Sequence, residues 1–487
     1  MKTASRQAGR WAAEAAKEHE RKGKVKAPSP RAALAAAPPR EQAKLMGLQR
    51  LASDDTSTHE PPPSGNPGPD RSPGRNGLGT PPGENGSRFR LSHRGEYNNC
   101  GCSLSTRIHL MKPRLFTPGP TTVPEETLLE LARPVTYHRS AEAKAILAEV
   151  SEDLKYVFQT SQPVYTLTSS GTGGMEAAVA NTLAPGEKAI LCTAGRWGER
   201  WRGILKAFQA NIVAVEVPFG KAVTPEMLGE ALGKNPDAKA VFATLSETST
   251  GVGHDIAAFG KLVAGTDALL VVDGISGLGA MECRVDAWNI DVCVTGSQKA
   301  LMLPPGLAFV SVSEKAWKKI DAAPIRSFYF DLRRYKKTYA ESDTPFTPAN
   351  TLIRAQRASL KRIRAEGIEN LWARHARIAA ACREGVKAMG LQLFAERPNN
   401  ALTVITVPPN IDGSGTLKKL EKQYGFKLAD GQDNMKGHIW RLSHMGYTDA
   451  FDVLGALSAL ELVLLESGFK LEPGAGLAAF QKSYAAK

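Results

Sequence analysis

The sequence predicts an open α/β fold, a mostly parallel sheet with helices on both faces, joined to a smaller C-terminal α+β domain. Three observations predict it. Short apolar runs of strand length alternate with amphipathic stretches from Thr136 onward. Polar or glycine-rich clusters stand directly after several of those runs, where open α/β sheets bind their ligands. After about Pro348 the pattern changes to two long helical stretches and then a shorter set of strands and helices.

The elements follow in order. A helical stretch at 141–158 precedes an apolar run at 164–167, and further strand-like runs stand at 189–191, 212–215, 240–243 and 269–272. Amphipathic stretches at 201–208 and 256–263 lie between them. Strand and helix in alternation require crossover connections, hence parallel pairing with both faces covered. Another strand is expected at 291–296. Beyond it come a helix reaching Gly367, a second helix at 371–389, strands at 401–407 and 438–443, and a closing helix at 451–466. These shifts place a large domain at 111–365 and a small one at 366–487.

Residues 1–110 read differently. Between Pro61 and Gly86, eight Pro and seven Gly fill 26 positions, too little apolar surface to offset the entropy of ordering. A disordered basic extension is expected there, with Met111 resembling a natural start. The segment carries 18 Lys and Arg against 10 Asp and Glu, which accounts for most of the chain's net charge of +13. A basic nucleic-acid-binding face is therefore not expected of the remainder. No apolar run reaches membrane-spanning length and no secretory leader pattern is present, so the expectation is a cytoplasmic protein without a membrane partner. The six cysteines form no disulfide or zinc pattern, and buried thiols are expected.

Three positions carry chemistry. Ser169-Ser170-Gly171-Thr172-Gly173-Gly174 follows the strand at 164–167 and opens a helix. Glycines let backbone approach an anion, and a helix start supplies free N–H groups and a favourable dipole. A plain glycine turn is the alternative, and the spacing is neither a P-loop nor a dinucleotide fingerprint. Asp273 ends the most apolar strand. A carboxylate there can keep a pyridine nitrogen protonated or, more simply, cap the next turn. Lys299 stands just past the strand at 291–296. A lysine at such a boundary can lose its proton and form an imine with an aldehyde, although a surface lysine is the commoner case.

In combination these residues resemble the class V aminotransferases of pyridoxal-phosphate (PLP) fold type I, nearest to the alanine–glyoxylate and serine–glyoxylate (serine–pyruvate) group, over about 113–469. The resemblance rests on Pro118-Gly119-Pro120, His138-Arg139-Ser140, Ser170-Gly171-Thr172-Gly173, Trp197-Gly198-Glu199-Arg200, Glu247-Thr248-Ser249-Thr250-Gly251, Val272-Asp273-Gly274 and Gly296-Ser297-Gln298-Lys299-Ala300-Leu301. It implies pyridoxal 5'-phosphate as cofactor, Lys299 as its Schiff-base lysine, and Asp273 as the partner of its ring nitrogen. Thr172, Gly173 and Gly174 would cradle the phosphate, with Gln298 contacting it, although many relatives carry a bulkier residue where Gly174 stands. Trp197 would stack on the ring or else be a core residue, and Thr248 would bond the ring hydroxyl or else serve its turn. Thr347, in Thr344-Pro345-Phe346-Thr347-Pro348, would reach the phosphate of a neighbouring subunit, which implies a homodimer with shared sites. Arg441 matches the arginine that grips the substrate carboxylate.

The implied reaction moves the amino group of alanine or serine to glyoxylate or pyruvate. Phosphoserine aminotransferases share the framework, but the basic residues for a second phosphate are not evident. Cysteine desulfurases need a late nucleophilic Cys and commonly a His before the lysine, whereas Gln298 stands there and no Cys follows Cys382.

Overall fold

The computed structural model describes residues 111–324 and 326–486. The expectations for the basic extension lie outside the described residues. The strands are β1 (Arg114–Phe116), β2 (Val164–Thr168), β3 (Lys188–Thr193), β4 (Asn211–Glu216), β5 (Ala240–Thr244), β6 (Ser246–Glu247), β7 (Val252–Gly253), β8 (Leu269–Asp273), β9 (Val292–Gly296), β10 (Leu307–Val312), β11 (Leu402–Thr406), β12 (Phe426–Asp430) and β13 (Ile439–Ser443). Seven of them form the central sheet in the order β2-β10-β9-β8-β5-β3-β4.

All neighbours in this sheet pair in parallel except at β10, which runs antiparallel to both β2 and β9. The sequence reading placed no strand at β10. Its cause is the connection from β9, too short to hold a crossover helix, so the chain returns antiparallel. Because β2 and β9 both oppose β10, they point the same way as the rest.

Five helices precede the β7–β8 crossover: α1 (Glu125–Leu131), α2 (Ala141–Phe158), α3 (Gly171–Thr182), α4 (Arg196–Ala207) and α5 (Pro225–Lys234). Then follow α6 (Ile256–Ala264), α7 (Glu314–Ala322), α8 (Leu332–Tyr339) and α9 (Asn350–Glu366). The strands' two faces separate two cores. Val241 and Ala243 of β5 join Val150 and Leu154 of α2, Phe259 of α6 and Leu360 of α9. Ala240 and Phe242 join Met175 of α3, Trp201 of α4 and Tyr335 of α8. Burial on both faces explains why β5, β8 and β9 read as continuous apolar runs, whereas edge strand β4 alternates.

Two expected helices begin earlier than their apolar pattern shows. Helix α3 starts at Gly171, inside the glycine cluster, and α4 starts at Arg196. Both first turns are made of glycine and polar residues with a single Trp, so they carry no apolar period.

The chain turns at Gly367, φ +86°, a conformation that favours glycine, and enters α10 (Ile368–Ala388). The small sheet has the order β1-β12-β13-β11 and is covered by α10, α11 (Gly413–Tyr424), α12 (Ala450–Glu466) and α13 (Ala475–Ala485). Strand β1 pairs in parallel with β12, so the start of the described chain completes the C-terminal sheet. No helix among the described residues is long and apolar enough to cross a membrane.

Gly260 of α6 packs so closely on the 284–291 loop that a Cβ would collide with the Trp288 carbonyl oxygen. Gly260→Ala is therefore expected to destabilise the protein by about 1–3 kcal/mol despite its better helix propensity, measured as a lowered urea midpoint at unchanged slope.

Candidate active site

Parallel pairing brings the carboxyl ends of β2, β9, β8, β5 and β3 to one edge of the sheet. From these ends project the 169–174 loop, Lys299, Asp273, the 246–250 turn and Trp197. Residues up to about 130 apart in sequence thus meet because their strands end together.

The turn carrying Lys299 is held rigidly. Ser297 donates from its N–H to the Leu307 carbonyl (3.0 Å) and from Oγ to the Pro304 carbonyl (2.8 Å). Thr121 secures the other side, donating from N–H to Gln298 O (3.2 Å) and from Oγ1 to Lys299 O (2.9 Å). The Lys299 side chain is buried, with Nζ donating to the Pro118 carbonyl. It occupies the space where a Cβ on Gly119 would lie, and Gly119 has φ +125°, so only glycine fits there.

Burial pushes the Lys299 ammonium down to about 8, with the positive charges of Arg441 and Arg200 acting in the same direction and Asp273 opposing. Asp273 is 4% exposed, and burial pushes its carboxyl up to about 6 against the N–H of Ile275, which donates to Oδ1 at 2.8 Å, and against Lys299 and Arg200. Each thus sits where its charged form is poorly solvated, with the other as partial compensation.

Trp197 stands in the first turn of α4. Its Nε1 donates to Thr248 Oγ1 at 2.7 Å, and Lys299 Nζ lies 5.9 Å from its ring centroid. Arg200, three residues on and so on the same helix face, lies over the indole at 4.3 Å and donates to Thr172 Oγ1 at 2.9 Å. Arg441 of β13 is buried, donating from Nε to the Asp430 carbonyl (2.8 Å) and from Nη1 to the Thr248 carbonyl (3.3 Å). Burial pushes its guanidinium down to about 10.

The sequence reading named Trp197, Thr248 and Thr172 but gave no role to Arg200 or Glu247, although both stood in the motifs. The i, i+3 spacing from Trp197 was the available signal for Arg200. Glu247 is fully buried, and burial pushes its carboxyl up to about 7 against hydrogen bonds from Ser249, Gly198 and Trp197.

The expected phosphate residues separate. Thr172 and Gly173 lie at the head of α3, where a Cβ on Gly173 would strike Ser169 and Phe330. Gly174 instead faces the sheet, its missing Cβ lying against Val294 and Ala308, and its N–H points to the Ser170 carbonyl at 3.4 Å. Thr347 is exposed in the single chain, two residues before Ala349, whose N–H donates to Thr168 Oγ1 at the end of β2 (2.9 Å).

The aminotransferase class-V family profile matches residues 119–453. The chain belongs to the class V aminotransferases. Among curated relatives, the L-aspartate–glyoxylate aminotransferase of Paracoccus denitrificans is 38% identical, covering 76% of this chain and 96% of that protein. The serine–glyoxylate aminotransferase of Hyphomicrobium methylovorum is 36% identical over 75% and 93%. A protein named as the small subunit of a soluble hydrogenase from Synechococcus is 40% identical over 76% and 97%. The crystal structure of ureidoglycine–glyoxylate aminotransferase from Bacillus subtilis matches with a TM-score of 0.73 and 32% identity, covering 76% of this chain and 97% of that one. The protein is thus an aminotransferase of PLP fold type I.

The residues present fit pyridoxal phosphate. Ser170 makes no side-chain capping bond to α3, which leaves the helix start open to an anionic acceptor. The Gln298 side-chain amide lies by Gly171 at that same helix start with its Oε1 unpartnered, and turned end for end it would donate from Nε2 to an anion there. Arg200 adds positive charge through Thr172.

The buried Lys299 makes a stability expectation with a definite sign. Its folded pKa is depressed, so the protein loses stability as pH falls from the usual lysine value of about 10.5 through about 8. Lys299→Met should therefore stabilise the cofactor-free protein at pH 7, by on the order of 2–3 kcal/mol, with the gain gone above about pH 10.5. Urea midpoints across that range check it.

Proposed function

We propose that the protein transfers the amino group of a small neutral amino acid, serine or alanine, to glyoxylate or pyruvate, with pyridoxal phosphate held by Lys299 as a Schiff base. The observation that carries this reading is the burial of Lys299 and Asp273 together at adjoining strand ends, within reach of an anion-suited helix start. When bound, pyridoxal phosphate supplies an aldehyde that condenses with amines and a ring that accepts the electron pair of a broken C–H bond.

The chain's own residues do the rest. Asp273 would hold a proton on the ring nitrogen. The Lys299 amine would take the proton from the substrate Cα and return it. With a pKa near 8, about a tenth of that amine is neutral at pH 7, and burial beside Asp273 keeps it within the working range. Trp197 would cover one ring face and exclude water, and Thr248 Oγ1 would hold the ring hydroxyl. Thr172, Gly173 and Gln298 would hold the phosphate, with Gly174 acting through the close packing of α3 on the sheet. Thr347, exposed in the single chain, serves the partner's phosphate in a homodimer, a reading supported by the exposed apolar Leu129, Val135, Tyr137 and Phe328.

Arg441 receives the substrate carboxylate. A dicarboxylate donor such as aspartate needs a second free cation, and the two nearby arginines are engaged. Arg200 is bonded to Thr172, and Arg196 pairs with both carboxylate oxygens of Asp433 at 2.9 and 3.0 Å. Arg196 is near enough to Arg441 that its charge lowers the latter's pKa. The glyoxylate acceptor is supported by the names of the relatives above. Desulfuration is disfavoured by the burial of all four cysteines among the described residues, where no thiolate can reach a substrate.

Steady-state rates with serine, alanine and aspartate against glyoxylate and pyruvate test the reading. Serine or alanine should exceed aspartate in kcat/KM by tenfold or more, and absence of turnover with every pair would refute it. Asp433→Asn frees Arg196 and should raise aspartate use relative to serine. Arg441→Lys keeps the charge but loses the planar fork, so KM for every amino donor should rise at least tenfold.

A further inference from the structure

Helix α4 carries Trp197 and Arg200, yet its own sequence cannot cap it. The N-cap residue is Gly195, which has no side-chain acceptor for the free N–H groups of the first turn. A side chain could not be placed there either. A Cβ on Gly195 would lie 2.5 Å from Ser249 Oγ and 2.6 Å from Glu247 Cδ.

Those two residues supply the missing cap from the β6 turn, some 50 positions away in sequence. Ser249 Oγ accepts from Arg196 N–H at 3.0 Å, and Glu247 Oε2 accepts from Trp197 N–H at 2.9 Å and from Gly198 N–H at 3.2 Å. The other oxygen, Oε1, accepts from Ser249 Oγ at 2.6 Å and from Ser249 N–H at 3.1 Å. A carboxylate at a helix start also meets the favourable end of the dipole. Between these two residues, Thr248 Oγ1 accepts from the indole Nε1. The same three-residue turn therefore grips Trp197 at its backbone and at its ring.

We propose that Glu247 is a positioning residue for the cofactor site, acting with Ser249 through Trp197 to set the plane of the indole that covers the cofactor ring. The inference rests on the reading that pyridoxal phosphate binds here. Glu247 touches neither Lys299 nor Asp273. Its effect passes through the α4 first turn, which fixes the indole relative to Lys299 Nζ at 5.9 Å and to Arg200 at 4.3 Å.

A double-mutant cycle on the full chain tests this. Cofactor-free wild type, Glu247→Gln, Trp197→Ala and the double variant are titrated with pyridoxal phosphate, following the circular dichroism induced in the cofactor band. Thermal midpoints of the cofactor-free forms are recorded alongside. Glu247→Gln keeps the size but replaces one acceptor by a donor, and is expected to weaken cofactor affinity about tenfold and reduce the induced signal. In the Trp197→Ala background the same substitution should change affinity less than twofold. Unchanged affinity on Glu247→Gln in the otherwise wild-type protein, or equal loss with and without the Trp197 indole, would overturn the proposal even if the thermal midpoint falls. Ser249→Ala, which removes a single link, takes Glu247's place in the cycle if Glu247→Gln does not fold. Failure of both to fold would also overturn it, since the network would then be purely structural. Absence of cofactor binding by the wild type refutes the functional reading instead.

Discussion

Taking a lysine and an aspartate out of water beside each other is the constraint on which the rest of this structure depends. Each charge at the end of an apolar strand lacks the solvation it has in water, and its partner makes up only part of the loss. Together, and with Arg200 and Arg441 nearby, they stay ionisable near neutral pH, Lys299 pushed down and Asp273 pushed up. The fold gives up stability at this point and gains an amine that can both bond carbon and carry a proton.

The surroundings serve that arrangement at successive distances. Thr121 and Ser297 lock the turn on which Lys299 stands, and Gly119 leaves its side chain room. Trp197 and Arg200, one helical turn apart, place an aromatic plate beside Lys299 and positive charge at Thr172. Glu247 and Ser249 hold that helix from outside. β13 delivers Arg441 from the small sheet, and the Asp430 and Thr248 carbonyls orient its guanidinium. Lys299, Trp197 and Arg441 are thus each held by hydrogen bonds with groups on other elements.

The continuous apolar runs of β5, β8 and β9 made the buried parallel sheet readable from sequence, and residues at or just past their ends, Asp273 and Lys299 among them, come together at one edge of the sheet. Strand β10 was missed because its direction is set by a short connection rather than by composition. Strand β1 was missed because three residues carry no period, and their pairing with β12 is long-range. Within the site, residues on strand ends could be found one at a time, whereas Arg200 and Glu247 act through contacts between elements. A cap supplied from 50 residues away leaves no local pattern at Gly195, and the apolar period of the helix is visible only from Trp201.

The covalent role of Lys299 is the claim from which the others follow, and it can be read directly. Borohydride reduction of the pyridoxal-phosphate-loaded protein, followed by peptide mapping, should place one pyridoxyl adduct on the peptide containing Lys299 and none on that peptide after Lys299→Met. Labelling at another lysine with Lys299 unmodified would contradict the account.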